Sequence, residues 1–305
     1  PDDSPTRCGY VTLLGRPNAG KSTLMNALIG ERLSIVTPKA QTTWQRVTGL
    51  LTTDRAQLIF LDTPGLLEPR DLLQRTMLSA ALEALQEADI MLLVLDGSRG
   101  FRASDMERLL ETLEGRPSVP LLAAINKVDL MEEGDGEKIS QWVSQELAGE
   151  SFLICAQDGR GVEELGERLE EICPPGPFLY PPDEVARDPV RFFVTEMIRE
   201  TDFQEYHQEI PESVFSQIEE FRENEDPIYI QANIFVERDS QKRILIGKKG
   251  SSIRRLGTLS REKIEEFLGR RVYLDLWIKV LPDWRKKRGH LKKLGFSVPE
   301  EDSRP

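Results

Sequence analysis

Residues 15–22 read Gly15-Arg16-Pro17-Asn18-Ala19-Gly20-Lys21-Ser22, a Gly-x4-Gly-Lys-[Ser/Thr] pattern. An apolar run at 10–14 precedes it, and a stretch with helical spacing of apolar residues, 21–29, overlaps its end. Strand, glycine-rich turn and helix in that order form a phosphate cradle. The glycines remove side-chain obstruction so that backbone N–H groups approach the anion, and the helix adds its positive N-terminal end. Lys21 is placed to neutralise the β- and γ-phosphates, and Ser22 to hold Mg2+.

Outward from this loop, apolar runs alternate with amphipathic stretches through residue 173. Strands are predicted at 10–14, 43–51, 57–61, 90–95, 121–125 and 152–155, and helices at 21–29, 72–88, 103–113, 139–147 and 162–172. Strand–helix alternation with short connections predicts an α/β domain with a mainly parallel sheet, whose ligands bind at the carboxyl ends of the strands. Two further motifs lie at such ends. Asp62-Thr63-Pro64-Gly65 follows the run 58–61, where the Asp62 carboxylate can reach the Mg2+ shell and the Gly65 N–H the γ-phosphate. Asn126-Lys127-Val128-Asp129 closes the run 121–125. Guanine offers N1–H and an exocyclic amine that one carboxylate accepts together, whereas adenine lacks that pair, so Asp129 selects GTP over ATP.

The prolines of Pro174-Pro175-Gly176-Pro177 and Pro181-Pro182 are incompatible with helix and predict a stiff linker over 174–187, between a domain at 1–173 and another at 188–296. Beyond it the pattern predicts a helix at 189–199, strands at 213–221, 228–236 and 271–280, helices flanking 247–250, a basic helix at 283–294, and a disordered tail at 297–305. Charge separates the parts. Residues 238–293 hold 18 Lys or Arg against 6 Asp or Glu, leaving 22 basic and 46 acidic residues elsewhere, so an overall charge of −12 hides one region suited to a polyanion.

Other classes are excluded by composition. The apolar runs are far shorter than the roughly 18 residues of a bilayer span. The chain shows no secretory leader and lacks an initiator Met, which predicts a trimmed start. Cys8, Cys155 and Cys173 form no disulfide framework and fit a reducing cytoplasm. Two histidines are too few for a His-rich zinc site, and no Gly-x-Ser-x-Gly elbow marks a serine hydrolase.

The order of the motifs resembles the translation-factor-related GTPases, and 15–26, Gly-Arg-Pro-Asn-Ala-Gly-Lys-Ser-Thr-Leu-Met-Asn, is similar to their Era branch. The resemblance implies a nucleotide set of Gly15, Asn18, Ala19, Gly20, Lys21, Ser22, Thr23, Asp62, Gly65, Asn126, Lys127, Asp129, Cys155 and Ala156. It makes Lys39-Ala40-Gln41-Thr42-Thr43 the first switch, with a threonine on Mg2+ and the γ-phosphate; Thr42 and Thr43 both qualify. Trp44 stands where the family usually has Arg, and Cys155-Ala156 where it has Ser-Ala, so the Ala156 backbone is expected at guanine O6 without the hydroxyl that a serine adds. Leu66 stands where Ras-like enzymes place a water-orienting Gln, which predicts slow intrinsic hydrolysis assisted by Lys21, Mg2+ and, by resemblance, a potassium ion held by Asn18. The catalytic candidates are thus Lys21, Asn18, Thr42, Thr43 and Gly65, and the metal candidates Ser22, Thr42, Thr43 and Asp62.

In the basic region, Ile246-Gly247-Lys248-Lys249-Gly250-Ser251-Ser252-Ile253 resembles the Gly-x-x-Gly loop of an α+β type II KH domain, with an amphipathic stretch and an alternating strand behind it. The predicted RNA contacts are Gly247, Lys248, Lys249, Gly250, Ile253 and Arg254, extended by Arg285, Lys286 and Lys287. Tyr273 and Trp277 alternate on a strand and read as core. A P-loop GTPase domain followed by a KH domain covers nearly the whole chain. It implies a bacterial GTPase that binds small-subunit ribosomal RNA near its 3′ end and assists maturation of the small subunit, as a monomer, with peripheral association at the inner face of the cell membrane. Two rivals are a nucleotide-stabilised RNA-binding module without significant catalysis and a membrane-surface GTPase using the basic helix.

Overall fold

The uninterrupted apolar runs of the first half form parallel strands buried on both faces, the pattern expected of a sheet covered by helices. The structure, a computed structural model, describes residues 6–37, 42–66, 68–115, 117–206 and 213–299. It divides into two compact units, Pro1–Pro69 with Met77–Arg187 and Arg70–Thr76 with Asp188–Pro305.

In the first unit, strands β1 (Arg7–Leu14), β2 (Val47–Thr52), β3 (Ala56–Asp62), β4 (Ile90–Asp96), β5 (Leu121–Asn126) and β6 (Glu150–Leu153) form a sheet in the order β2-β3-β1-β4-β5-β6. Only β2 is antiparallel to its neighbour. The helices are α1 (Lys21–Ile29), α2 (Leu72–Gln86), α3 (Ala103–Thr112), α4 (Asp135–Leu147) and α5 (Val162–Ile172). Every residue of β3 and β5 is buried, and Leu14, Leu93 and Ile125 share a core with Ala81, Leu109 and Val143. The register sets Leu13 beside Asp62 and Asp96 beside Asn126. Parallel pairing therefore gathers motifs that lie far apart in the chain at one edge of the sheet.

The second unit contains α6 (Val190–Glu205), β7 (Phe215–Arg222), β8 (Ile228–Val236), α7 (Asp239–Ile246), α8 (Ser251–Leu268), β9 (Val272–Val280) and α9 (Arg288–Lys293). Its sheet runs β7-β8-β9, with β7 antiparallel and β9 parallel to β8. Ile228, Ile230, Ala232, Ile234 and Val236 alternate along β8 into a core with Val194, Ile198, Leu256 and Ile264. This is the type II KH arrangement.

Several element ends differ from expectation, four of them for an evident physical reason. The strand predicted at 43–51 begins at Val47, because Thr43 is held by the Asp62 carboxylate and Trp44 is buried. The strand predicted at 152–155 is Glu150–Leu153; Cys155 instead bridges Arg160 across a turn. The helix predicted to stop at 199 continues to Glu205, its buried polar turn partly paired through Arg199–Glu196 (2.7 Å), Lys263–Glu200 (2.9 Å) and Ser216–Asp202 (3.3 Å) contacts, with Asp202 Oδ1 left without a hydrogen-bond partner. The basic helix predicted at 283–294 is reduced to Arg288–Lys293, since Asp283 has φ 54° and 283–287 form a turn around the buried Trp284.

The stretch read as a stiff linker lies on the first unit's own strands. Gln57 accepts the N–H groups of Leu179 (2.8 Å) and Tyr180 (3.0 Å), and Leu50 N–H donates to Val185 O (2.9 Å). Of the tail, Val298 is buried and Pro299 O accepts from Arg288 (2.6 Å); 300–305 lie outside the described residues. Among the described residues no helix is long and apolar enough to cross a membrane.

Candidate functional site

Two glycines of the first motif are required by geometry. Gly15 has φ 147° and a Cβ there would strike Val94 O; Gly20 has φ 96° and a Cβ would strike the Asn126 amide. Asn18 is also left-handed, at φ 63°. The loop thus leads directly into α1 at Lys21, whose Nζ donates to Gly15 O (3.2 Å) and Arg16 O (3.2 Å). Burial lowers the Lys21 ammonium pKa to about 8, against the opposing pull of the Asp62 carboxylate. A buried cation satisfied only by carbonyls is suited to exchange them for phosphate oxygens. Ser22 and Thr23 follow on the first turn, both partly exposed.

Asp62 organises the centre. Its Oδ2 accepts from Ser22 Oγ (2.7 Å), Ser34 Oγ (3.0 Å) and Thr43 Oγ1 (3.3 Å), and Ser22 and Thr43 hydroxyls lie 3.1 Å apart. Its Oδ1 is buried without a hydrogen-bond partner, and burial raises the carboxyl pKa although the three hydroxyls and Lys21 pull it down. An orphaned carboxylate oxygen beside two hydroxyls fits Mg2+, which binds through few protein oxygens and takes the rest of its octahedron from water and phosphate. No cluster of three or more His, Cys, Asp or Glu that could cage a metal occurs among the described residues. Of the two candidate threonines, Thr43 joins this centre, whereas the Thr42 hydroxyl meets Thr37 (3.1 Å). Lys39, Ala40 and Gln41 lie outside the described residues.

Gly65 lies against the phosphate loop: a Cβ there would come within 2.6 Å of Pro17 N and 2.8 Å of Pro17 Cα. Leu66 N–H donates to Gly15 O (2.9 Å) and its side chain is buried with Leu14 and Ala81, so it offers nothing to a water. Trp44, where a cation was the family expectation, is core.

The motif at 126–129 serves two purposes. Asn126 Nδ2 donates to Ala19 O (2.9 Å) and its Oδ1 accepts Ala156 N–H (2.9 Å), which ties the phosphate loop to the 155–157 turn. In this arrangement the Ala156 N–H, the group expected at guanine O6, donates to Asn126 Oδ1. Lys127, at φ 67°, bonds Asn18 O (2.7 Å) and Asp96 Oδ2 (2.7 Å). Asp129 alone of this motif presents an exposed carboxylate, and it adjoins the Cys155 thiol. Burial pushes that thiol's pKa up, and the adjoining Asp129 carboxylate adds to the rise.

Sequence reasoning missed Ser34, Asp96 and the role of Asn26, whose side chain clamps Leu33 N–H (2.9 Å), Ser34 N–H (3.0 Å) and Ser34 O (2.8 Å). Asn26 was visible as the last residue of the 15–26 stretch. Ser34 carried no local signal, because its partner is 28 residues away.

In the second unit Gly247 has φ 70° and a Cβ would meet the Ser252 N–H at 2.9 Å; Gly250, at φ 77°, starts α8. Lys248, Lys249 and Arg254 are exposed together at this helix start, with Ile253 partly buried on the apolar core beside them. Cations at a helix N-terminus with a bare backbone suit phosphates. Arg285 departs from expectation: it is turned inward onto Asp71 of the same unit (2.6 Å), with side chains 17% and 13% exposed. Trp284 is fully buried and donates to Ser213 O (3.0 Å), which draws Arg285 in and leaves Lys286 and Lys287 outside. Tyr273 and Trp277, expected in the core, are 59% and 54% exposed, because the core face of β9 belongs to Val272 and Ile278.

Comparison with known proteins followed the same division. A family described as 50S ribosome-binding GTPase matches residues 10–127, and the KH domain family matches residues 209–285. GTPase Era of Carboxydothermus hydrogenoformans is 38% identical over 294 residues, covering 95% of this chain and 98% of that one. GTPase Era of Leuconostoc citreum is 41% identical over 302 residues, covering 97% and 98%. A crystal structure of an Aquifex aeolicus Era point variant bound to GDP and AlF4− superposes with a TM-score of 0.88 at 35% identity, over 95% of this chain and 99% of that one. A structure of Era with MgGDPNP and nucleotides 1506–1542 of 16S ribosomal RNA matches with the same TM-score, 0.88.

Proposed function

The chain belongs to the Era family of GTPases, and from that premise we propose that its nucleotide state governs the grip of the KH unit on small-subunit ribosomal RNA near the 3′ end, in the service of small-subunit maturation. The observation that carries this reading is the buried Asp62 carboxylate, with one oxygen spent on three switch and loop hydroxyls and the other unspent. Such a group is matched to a metal-bound triphosphate, and it connects Ser34 and Thr43 to whatever occupies the cradle.

GTP or GDP would lie along 15–23, with Asp129 on the guanine edge and the Gly65 N–H toward the γ-phosphate. Ser22, Thr43 and Asp62 would hold Mg2+, which supplies neutralisation of charge across the β- and γ-phosphates. Lys21 gives up Gly15 O and Arg16 O to bind phosphate oxygens. Asn126 and Lys127 hold Ala19 O and Asn18 O in place, so the cradle is preorganised. With Leu66 buried, no side chain at that position orients water, and intrinsic hydrolysis is slow. A potassium ion at Asn18 would add charge at the β–γ bridge; equal turnover of an Asn18→Ala variant in potassium and sodium, alongside a potassium-responsive parent, supports that role, and an unchanged potassium response removes it.

Lys248, Lys249 and Arg254 would meet RNA phosphates while Gly247 and Gly250 let the strand approach, with Ile253 lining the apolar side. The protein is proposed to work as a cytoplasmic monomer. Peripheral contact with the inner membrane face would rest on Lys286 and Lys287, now without Arg285. The test is binding of a single-stranded oligonucleotide of the 3′-terminal small-subunit rRNA sequence to full-length protein loaded with a GTP analogue or GDP. Tighter binding in one state supports the proposal, and equal affinity refutes it.

A further inference from the structure

The sheet of the second unit has one face packed under helices and an outer face on which Tyr273 and Trp277 are exposed. On this outer face the register sets Tyr229 opposite Tyr273, Gln231 opposite Asp275, and the buried Asn233 opposite Trp277. The Tyr229 and Tyr273 rings stack with centroids 5.8 Å apart and planes 13° apart. Two large aromatics each more than half exposed on outward positions of one strand are costly in water and mark interaction surfaces.

The charges on this face select the partner. Asp275 sits between the two exposed rings, and its Oδ2 accepts from Trp277 Nε1 (2.8 Å) and the Tyr229 hydroxyl (3.4 Å). Among the described residues no cation pairs with it, and Glu219 nearby is met by the Asn233 amide. The same face already shows how it treats a guanidinium. Arg222 lies 4.7 Å from the Tyr229 ring centroid, held from the side by Glu220 (2.7 Å) and Glu225 (3.3 Å). Aromatic planes flanking an unpaired carboxylate match arginine, which stacks and forms paired hydrogen bonds at once, better than lysine. They oppose a phosphate backbone, for which this unit offers the separate cationic loop at Lys248 and Lys249.

We propose that the outer face of this sheet, centred on Tyr273, Asp275 and Trp277, docks an extended, arginine-bearing basic segment of a partner protein. One guanidinium lies against Tyr273 or Trp277 and pairs with Asp275. Alternate residues of a strand are about 7 Å apart, so an extended peptide places its own alternate side chains in step with these three. The surface is separate from the nucleotide and RNA reading and stands or falls without it.

The probe is a blocked nonapeptide of alternating Arg and Gly, added to full-length 15N-labelled protein while the Trp277 indole N–H resonance is followed, assigned by its disappearance in Trp277→Phe. A saturable shift is expected. Tyr273→Ala and Asp275→Asn, both outside the core, are each expected to weaken binding about threefold or more, and the Lys-Gly counterpart to bind more weakly by a similar factor. No saturable shift, or a shift indifferent to Asp275→Asn, overturns the proposal. Displacement of the peptide from Trp277 by oligouridylate would assign the face to nucleic acid and overturn it as well.

Discussion

Replacing Asn126 by Ala removes two buried hydrogen bonds at once, one donated to Ala19 O and one accepted from Ala156 N–H, both 2.9 Å. Each bond contributes about 1 kcal/mol net, and a buried N–H left without a partner costs about 1–3 kcal/mol. The first unit should therefore lose about 2–4 kcal/mol in the nucleotide-free protein, a loss that water entering the space made by the shorter side chain would reduce. The same bonds hold the phosphate loop to the 155–157 turn. Guanine nucleotide affinity should accordingly fall by at least about tenfold even at temperatures where the variant remains folded. Asn126→Asp sharpens the test: its carboxylate can still accept from Ala156 but meets Ala19 O as a second acceptor, so it should damage the phosphate-loop side more than the base side. Native-state hydrogen exchange of β1, β3 and β5 amides reports the stability, and GDP titration reports the affinity. A stability change under about 0.5 kcal/mol with unaltered GDP binding would falsify the bracing role.

Thr43→Ala should move the Mg2+ dependence of GTP-analogue binding to at least about tenfold higher concentration, while Thr42→Ala moves it less than about twofold, because only Thr43 joins Ser22 and Asp62; a magnesium titration with the effects reversed refutes that assignment. Lys21 has a folded pKa lowered to about 8 from 10.5, so the unfolded chain holds more protons between these values and nucleotide-free stability rises with pH across that window. Phosphate binding returns the charge to Lys21, so calorimetry above pH 8 in buffers of different ionisation enthalpy should show proton uptake, and none would contradict the shift. The double variant Lys248→Ala with Lys249→Ala should reduce the salt slope of single-stranded RNA binding by about 1.4, whereas Arg285→Ala should leave that slope unchanged and cost about 1–3 kcal/mol of stability by stranding Asp71.

The local motifs were legible because they are contiguous: 15–22 gathers glycines, lysine and serine within eight residues, and the strands 90–96 and 121–126 are apolar enough to be buried on both faces. Element ends were less legible where a side chain answers to a distant partner. Thr43 left the predicted strand for Asp62, 19 residues away, and the polar turn Arg199–Asp202 is helical with Glu196, Lys263 and Ser216 as its distant or neighbouring partners.

What residue order alone determined is the set of groups present: a glycine-rich loop ending in Lys21 and Ser22, carboxylates at two strand ends, a glycine-bounded basic loop, and the order in which they occur. Tertiary packing decided which of them are free to act. It brought Thr43 rather than Thr42 to Asp62, engaged Ala156 N–H with Asn126, drew Arg285 onto Asp71 beside the buried Trp284, and left Tyr273 and Trp277 exposed. The physical reason is common to all four. Alternation and spacing tell which side chains share a face, but which face meets a core, and which donor is already satisfied, depends on atoms brought near only when the chain closes on itself.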